Sequence, residues 1–539
     1  MITQLELGNV RLFEGTDIWK FPLTRLSAFC GTNSAGKSTI LRSLLLLLQS
    51  NETSDVMSRA GQLRLSGELV DVGSYESFVS HGHFRSDVVV GITIEDSLRA
   101  RHLRTLPGWK SESHEGPEPE FVTYTLNARF RFGLLKTSES SAQLGLLEAV
   151  LDDTPTRSSF TTQAYLKEAS FDLSVIGHPL SWTLALKSDH LSRGAEPDYD
   201  IFIPADHFGA WGGHAVMEVP KVDAGTHVRV EATTRGILPS GLWAKAKAKR
   251  RTRNSEDDDV LTYFPLPPLI RDATIDLGLA IEGIHYLGPL RSPAKRFYLT
   301  NLDTTPRLDP TGEFLPYVLR DKYDTEIRYL PPKADEEVRA PLKRAVNEWL
   351  FYFRTGELLR ETTGKSAAEI GLTSVKDVLL ELTLQSFVGE AHALADSGFG
   401  YSQLLPIIVG GLIAELGETI VIEQPELHLN PSLQVRMAEF LRSLARAGKL
   451  VIVETHSEHI INALRVLAAE SFTEKEEKNY SILYLDAEHG TPLLLRLEVQ
   501  SDGTVPDWPR GFMGEAMHLS SRLIRAQQRR KVLGREGGR

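Results

Sequence analysis

The sequence predicts an α/β protein assembled around a phosphate-binding loop, and three observations carry that reading. Residues 31–39, Gly-Thr-Asn-Ser-Ala-Gly-Lys-Ser-Thr, fill every fixed position of the G-x-x-x-x-G-K-[ST] pattern. The loop stands between a short apolar run, Leu26–Cys30, that reads as a strand, and the run from Ile40 to Gln49, that reads as a buried helix. Far along the chain, Thr419–Ile422 and Leu450–Val453 read as two buried parallel strands, with a helix over 431–447 between them. Strand–helix–strand alternation around such a loop is the pattern of an α/β core.

The loop's chemistry follows from its context. Backbone N–H groups and the helix N-terminus cradle phosphates, Lys37 reaches the β and γ oxygens, and Ser38 holds Mg²⁺. Gly31, Asn33, Ser34, Ala35, Gly36, Lys37, Ser38 and Thr39 are therefore the expected nucleotide contacts, and ATP or GTP the expected ligand.

Bulk properties set the bounds. At 539 residues the chain exceeds one simple core, so several domains or large insertions are expected. The hydrophobic share of 41% and the charged share of 24% are those of a globular protein, not of a disordered one. A net charge of −11 argues against a protein that coats nucleic acid with its whole surface, while permitting a local basic patch. The single cysteine, Cys30, excludes a disulfide framework and reads as a small core residue. No secretory pattern opens the chain, and no apolar run approaches the ~20 residues of a membrane span. A reducing, cytoplasmic setting is the expectation.

Along the chain, residues 1–100 read as the N-terminal lobe of the nucleotide-binding head. The opening run from Ile2 to Phe13 alternates as a half-exposed strand, and glycines punctuate strands and turns from 60 to 100. Residues 101–285 read as an insertion, mainly β, with alternation clearest from Phe121 to Phe132. Residues 286–395 include strong helical periodicity over 334–359. Residues 396–512 form the C-terminal lobe, closing on a β pair at 480–485 and 493–497, and 513–539 is a basic tail.

Three further motifs narrow the chemistry. The strand Thr419–Ile422 ends in Glu423, the Walker B arrangement, whose acid holds Mg²⁺ directly or through water. Asp396-Ser-Gly-Phe-Gly-Tyr-Ser402 supplies glycines and hydroxyls before a helix expected to be capped near Ser402, an anion-receiving arrangement. Val451-Ile-Val-Glu-Thr-His-Ser457 ends the next strand at His456, expected to touch the γ-phosphate.

This order of Walker A, long insertion, Ser-Gly-Phe-Gly, Glu-Gln-Pro-Glu-Leu-His and Glu-Thr-His-Ser resembles ABC-type ATPases of the RecF/SMC/OLD group. Tyr286-Leu-Gly-Pro-Leu-Arg-Ser-Pro-Ala-Lys-Arg-Phe-Tyr298 and Asp502-Gly-Thr-Val-Pro-Asp-Trp-Pro-Arg-Gly-Phe512 look like the stand-alone members, among them PtuA-like ATPases of Septu and retron phage-defence systems. The resemblance covers 1–50, 285–300 and 395–512. It implies an ABC-type head, a mixed or parallel sheet with flanking helices, and ATP and Mg²⁺ as ligands. It also implies that two heads sandwich two nucleotides, with Ser397, Gly398 and Gly400 of one copy contacting the γ-phosphate held by the other. Spacing does not decide between Ser397 and Ser402 as the contacting hydroxyl.

One departure matters. The ABC pattern closes its Walker B strand with a metal-binding acid and then a general base, and here those positions are Glu423 and Gln424. Glutamine orients water but cannot accept its proton. Two readings stand: Glu426 assists hydrolysis with His456 polarising the phosphate, or turnover is slow and ATP serves mainly as a dimer clamp. Slow turnover is preferred.

The segment after His456 is too short for the metal-binding nuclease domain of OLD-type proteins, and Asp486-Ala-Glu488 reads as a surface turn. Any nuclease activity is therefore expected in a separate effector. The resemblance implies a subunit of a phage-defence complex; the alternative is a RecF- or SMC-like repair ATPase that binds DNA directly. Two basic segments are candidates for DNA contact: Lys245–Arg253, with six cations in nine residues, and the Arg522–Arg539 tail, with seven cations and one acid. Thr363-Gly-Lys-Ser366 lacks the first glycine of a phosphate loop and reads as an ordinary turn.

Overall fold

A computed structural model describes the chain except for residues 16, 53–59, 81–85, 100–119, 138–162, 189, 192–195, 206–220, 223–226, 248–258, 300–307, 360–369, 376–378, 386–390, 398, 471–478, 488–491, 501, 510–511, 515–518 and 528–539. Two large sheets dominate. The first has eleven described strands, all antiparallel, running from 259–264 at one edge through 121–134, 88–99 and 2–8 to 19–22 at the other. The second has six strands, in the order 284–287, 419–423, 450–454, 26–31, 480–486 and 493–497. Its first five strands are parallel and the last is antiparallel.

The six-stranded sheet is buried on both faces, and period-2 alternation sorts its side chains. Leu26, Ala28 and Cys30 face one core together with Ile420, Ile422, Val451, Val453, Ile482 and Tyr484. Phe29, Val421, Leu450, Ile452, Leu483 and Leu485 face the other. The first core packs against helices 342–355, 399–413, 431–446 and 458–469. The second fills the space between the two sheets, where helix Lys37–Asn51 lies with helix Pro268–Glu282. Thirteen of the fifteen residues of Lys37–Asn51 are buried, so this helix is hydrophobic all round because it is covered all round. Cys30 is a buried free thiol that burial pushes up to about 12, which suits a core residue.

Several boundaries differ from the sequence reading for local reasons. The opening strand stops at Gly8, because Asn9 and Arg11 adopt positive φ and turn the chain. The helix expected over 334–359 is a short strand, Val338–Pro341, paired with Glu326–Tyr329, followed by helix Leu342–Thr355. Pro341 disfavours helical geometry in the residue before it, and Gly356 ends the helix in the left-handed region at φ 77°. The strands of 101–285 continue the antiparallel sheet begun by 2–8: strand Val88–Arg99 pairs with Phe121–Leu134 along its whole length. Thr363–Ser366 lies outside the described residues. No helix among those residues is long and apolar enough to cross a membrane.

The wedged helix carries the packing of both sheets at once. Leu46→Ala, at a fully buried position, is expected to cost about 3 kcal/mol by lost transfer energy and a residual cavity. Leu279→Ala, at a side chain 61% exposed, should stay within ~0.5 kcal/mol. Chemical denaturation of the two variants checks the contrast.

Candidate nucleotide site

Gly31 closes the strand Leu26–Gly31 at φ 128°, where a β carbon would sit 1.9 Å from the Leu485 carbonyl oxygen of the neighbouring strand. Gly36 precedes helix Lys37–Asn51 at φ 95°, and a β carbon there would meet the Phe13 ring at 2.8 Å. Both glycines are thus required for steric and conformational reasons, and between them Ser34 also takes a positive φ of 62°. The loop is drawn against the sheet edge by Thr32, whose N–H donates to Leu485 O at 3.0 Å and whose hydroxyl donates to Asp486 at 3.1 Å. Asp486 is therefore an anchor for the loop, a contact the surface-turn reading omitted; Glu488 lies outside the described residues.

Lys37 is 3% exposed, and its Nζ donates to the carbonyls of Thr32 at 2.6 Å and Gly31 at 3.3 Å. Its ammonium thus bends back over the loop, where a bound phosphate chain belongs. Burial lowers the Lys37 pKa and the nearby Glu454 opposes that shift.

Below the loop, two carboxylates lie abreast. Glu423 and Glu454 are register partners at the ends of adjacent parallel strands, 2% and 3% exposed. By alternation both stand on the face of Val421 and Ile452, toward helix Lys37–Asn51. Ser38 Oγ donates to Glu454 Oε1 at 2.9 Å, and Tyr286 OH donates to Glu423 Oε1 at 3.0 Å. Burial raises the pKa of both acids. The Glu423 charge adds to the rise at Glu454, which reaches about 7, while Arg42, one helical turn beyond Ser38, opposes the shift at both.

The Ser38 hydroxyl with the desolvated Glu423 carboxylate is a donor set that suits Mg²⁺, which is usually held by one or two carboxylates together with substrate phosphates. No group of three or more His, Cys, Asp or Glu side chains that could cage a metal occurs among the described residues. The Lys37 ammonium turned over the loop, with the Ser38 hydroxyl and the desolvated Glu423 carboxylate below it, fits a magnesium–nucleotide ligand.

The remaining predicted residues occupy separate tasks. Gln424 turns the chain at φ 46°, and its N–H donates to Glu454 O at 2.7 Å. Glu426 accepts from Thr455 Oγ1 at 2.8 Å and from the His456 N–H at 2.7 Å, so its carboxylate ties the Walker B turn to the switch segment. His456 is exposed as a residue, and partial desolvation of its ring together with the Lys37 charge lowers its pKa. Ser457 caps helix Glu458–Ala469 by accepting from the Ile460 N–H.

The Ser-Gly-Phe-Gly segment follows a 3-10 turn, Leu394–Asp396, and its helix runs from Phe399 to Ile413. The expected cap near Ser402 is corrected: Ser402 lies inside the first turn and is buried. Ser397 reaches the Ala393 carbonyl at 3.5 Å, Gly400 lies beside the His428 carbonyl, and Asp396 pairs with Arg296 at 2.9 Å. Gly398 lies outside the described residues, as do most of Lys245–Arg253 and the tail beyond 527. Arg522 and Arg525 are exposed on a helix over 519–527.

Four residues were missed at the sequence level: Tyr286, Arg42, Arg291 and Glu454. Arg291 is buried, donates through Nη2 to Glu423 O at 3.0 Å, and holds Gln403 Nε2 through its own carbonyl at 3.0 Å. Burial lowers its pKa to about 10, with Glu426 opposing. Glu454 had a readable signal, since two strands ending in Glu at the same register place both acids on one face. Arg42 had one in its i+4 spacing from Ser38.

Against known proteins, a family model described as AAA ATPase domain matches residues 332–461. That span contains the Ser-Gly-Phe-Gly segment, the Walker B strand and the switch histidine. No curated protein matches the sequence. Among solved structures, the Smc head bound to the C-terminal winged-helix domain of ScpA aligns at 11% identity over 93% of this chain and 98% of that one, with a TM-score of 0.38. The SMC head domain from Thermotoga maritima aligns at 10% identity over 92% and 99%, with a TM-score of 0.34. The Smc head domain from Pyrococcus furiosus with an extended coiled coil, bound to the C-terminal domain of ScpA, aligns at 9% identity over 97% and 99%, with a TM-score of 0.36. The chain is an α/β protein whose phosphate loop and the segment matching the ATPase-domain model meet at the strand ends of one six-stranded, mainly parallel sheet.

Proposed function

We propose that this chain is an ABC-type ATPase whose heads dimerise on ATP and thereby control a separate effector, such as a nuclease, in a phage-defence complex. The observation that carries the ATPase part is the pair Glu423 and Glu454 abreast beneath Ser38 and Lys37. Ser38 and Glu423 would hold Mg²⁺, which when bound neutralises charge on the phosphates. Lys37, already desolvated, binds the β and γ oxygens without further loss of hydration. Tyr286 fixes one oxygen of Glu423 and so orients the other.

The dimer part is supported by the Ser397-Gly-Phe-Gly400 sequence, which resembles the segment that ABC heads present to a partner's nucleotide. The Arg296–Asp396 pair steadies the turn that offers it. The defence role and the effector are supported by the resemblance of 286–298 and 502–512 to stand-alone ATPases of Septu and retron systems. Gln424 favours slow turnover and a clamp-like use of ATP.

Lys37→Ala should weaken ATP binding at least ~100-fold, since a desolvated charge-assisted contact is worth about 3 kcal/mol; calorimetric titration with ATP and Mg²⁺ checks this. Ser397→Arg should leave ATP binding by single heads intact while abolishing the ATP-dependent doubling of mass seen by light scattering. If the Arg variant still dimerises on ATP, the shared-site reading fails. Expressed with its neighbouring genes, the chain should reduce phage plating and the Lys37→Ala variant should not; equal plating for both removes the defence role.

A further inference from the structure

Glu454 has no assigned part in hydrolysis, yet it occupies the most central position of the site. Resting on the ATPase reading above, we propose that Glu454 is the catalytic carboxylate: it holds the attacking water and takes its proton, the task Gln424 cannot perform.

Elimination and placement point the same way. The Gln424 amide has no basic oxygen. Both oxygens of Glu426 already accept a hydrogen bond, one from the Thr455 hydroxyl and one from the His456 N–H, whereas one oxygen of Glu454 accepts none. Glu423 is anchored by Tyr286 and is the acid that ends the Walker B strand. Glu454 stands on the strand between the Walker B strand and the phosphate-loop strand, with Glu423 and Phe29 as its register partners. One of its oxygens accepts from Ser38 at 2.9 Å. The other, Oε2, is buried with no hydrogen-bond partner. A buried orphan acceptor is rare in a folded protein and asks for a donor, which a water beside the γ-phosphate supplies.

The step balances simply. The water oxygen bonds to the γ-phosphorus as its proton passes to Glu454. The bond from phosphorus to the bridging oxygen breaks, and its electron pair leaves on ADP. The backbone contact from the Gln424 N–H to Glu454 O, 2.7 Å long, shows how close the two positions lie. A carboxylate restored at 424 would therefore serve the same phosphate from the adjacent strand.

The test uses the full chain with ATP and Mg²⁺, in wild type, Glu454→Gln and the double variant Gln424→Glu/Glu454→Gln, reading turnover, ATP affinity and the mass of the ATP complex. Glu454→Gln should lower kcat at least ~100-fold while ATP affinity changes less than about threefold, and ATP-loaded dimer should accumulate. The double variant should regain at least ~10-fold of the lost turnover, which a misfolded chain could not do. Unchanged turnover in Glu454→Gln, with an active wild type, overturns this assignment alone. Loss of Mg²⁺-dependent ATP affinity in Glu454→Gln also overturns it and makes Glu454 a metal ligand. A wild type that neither binds nor hydrolyses ATP overturns the ATPase reading and this assignment together.

Discussion

Two carboxylates share one buried face at the ends of adjacent strands, within reach of a lysine and an arginine, and much of the architecture serves to keep them there. Parallel strands in register bring Glu423 and Glu454 side by side, where like charges and lost hydration both favour protonation. Such a pair is tolerable only where cations answer it. Lys37 and Arg42 do so from helix Lys37–Asn51, and a bound divalent ion would do so more strongly. The cost of desolvation is met by the cores above and below the sheet. Water is kept away by the eleven-stranded sheet on one side and the layer of helices on the other.

That layering explains why the helix after the phosphate loop is so apolar. In a simple three-layer α/β protein the same helix would show one polar stripe. Here the eleven-stranded sheet covers its outer face, so Leu44 to Leu48 are all buried. The antiparallel sheet is thereby more than an appendage. Its edge region contributes Phe13 against Gly36, so the geometry of the phosphate loop depends on packing from residues that precede it.

Much of the head was legible in the sequence because its signals are local. The phosphate-loop strand, its helix, the two buried strands at 419–423 and 450–454, the intervening helix and the closing β pair all declare themselves by periodicity and caps. The partnership of strands 88–99 and 121–134 was not legible, because antiparallel pairing across a long intervening stretch leaves no local trace. Helical periodicity over 334–341 misled for the opposite reason: the charged run Asp335–Glu337 before the short strand Val338–Pro341 imitates a helix face. At the site, residue identities were readable and their partners were not. Glu426 reads as a spare carboxylate in one dimension, and in three it is occupied on both oxygens.

The Glu426 contacts also explain how nucleotide chemistry could be felt elsewhere. Glu426 joins the Walker B turn to Thr455 and His456, and Arg291 joins the same turn to Gln403 in the helix that begins at the Ser-Gly-Phe-Gly segment. Arg291 is buried and two of its guanidinium nitrogens have no hydrogen-bond partner, so its place is held by the Glu423 carbonyl and by the field of Glu426. A change of charge at Glu423 or Glu454 therefore bears on a turn that is tied at one end to His456 and at the other to helix Phe399–Ile413. Rigid strands carry the acids while hydrogen-bonded turns carry the connections. That division lets a change of charge at the two carboxylates bias the turn after Glu423 and the helix Phe399–Ile413, without any strand having to move.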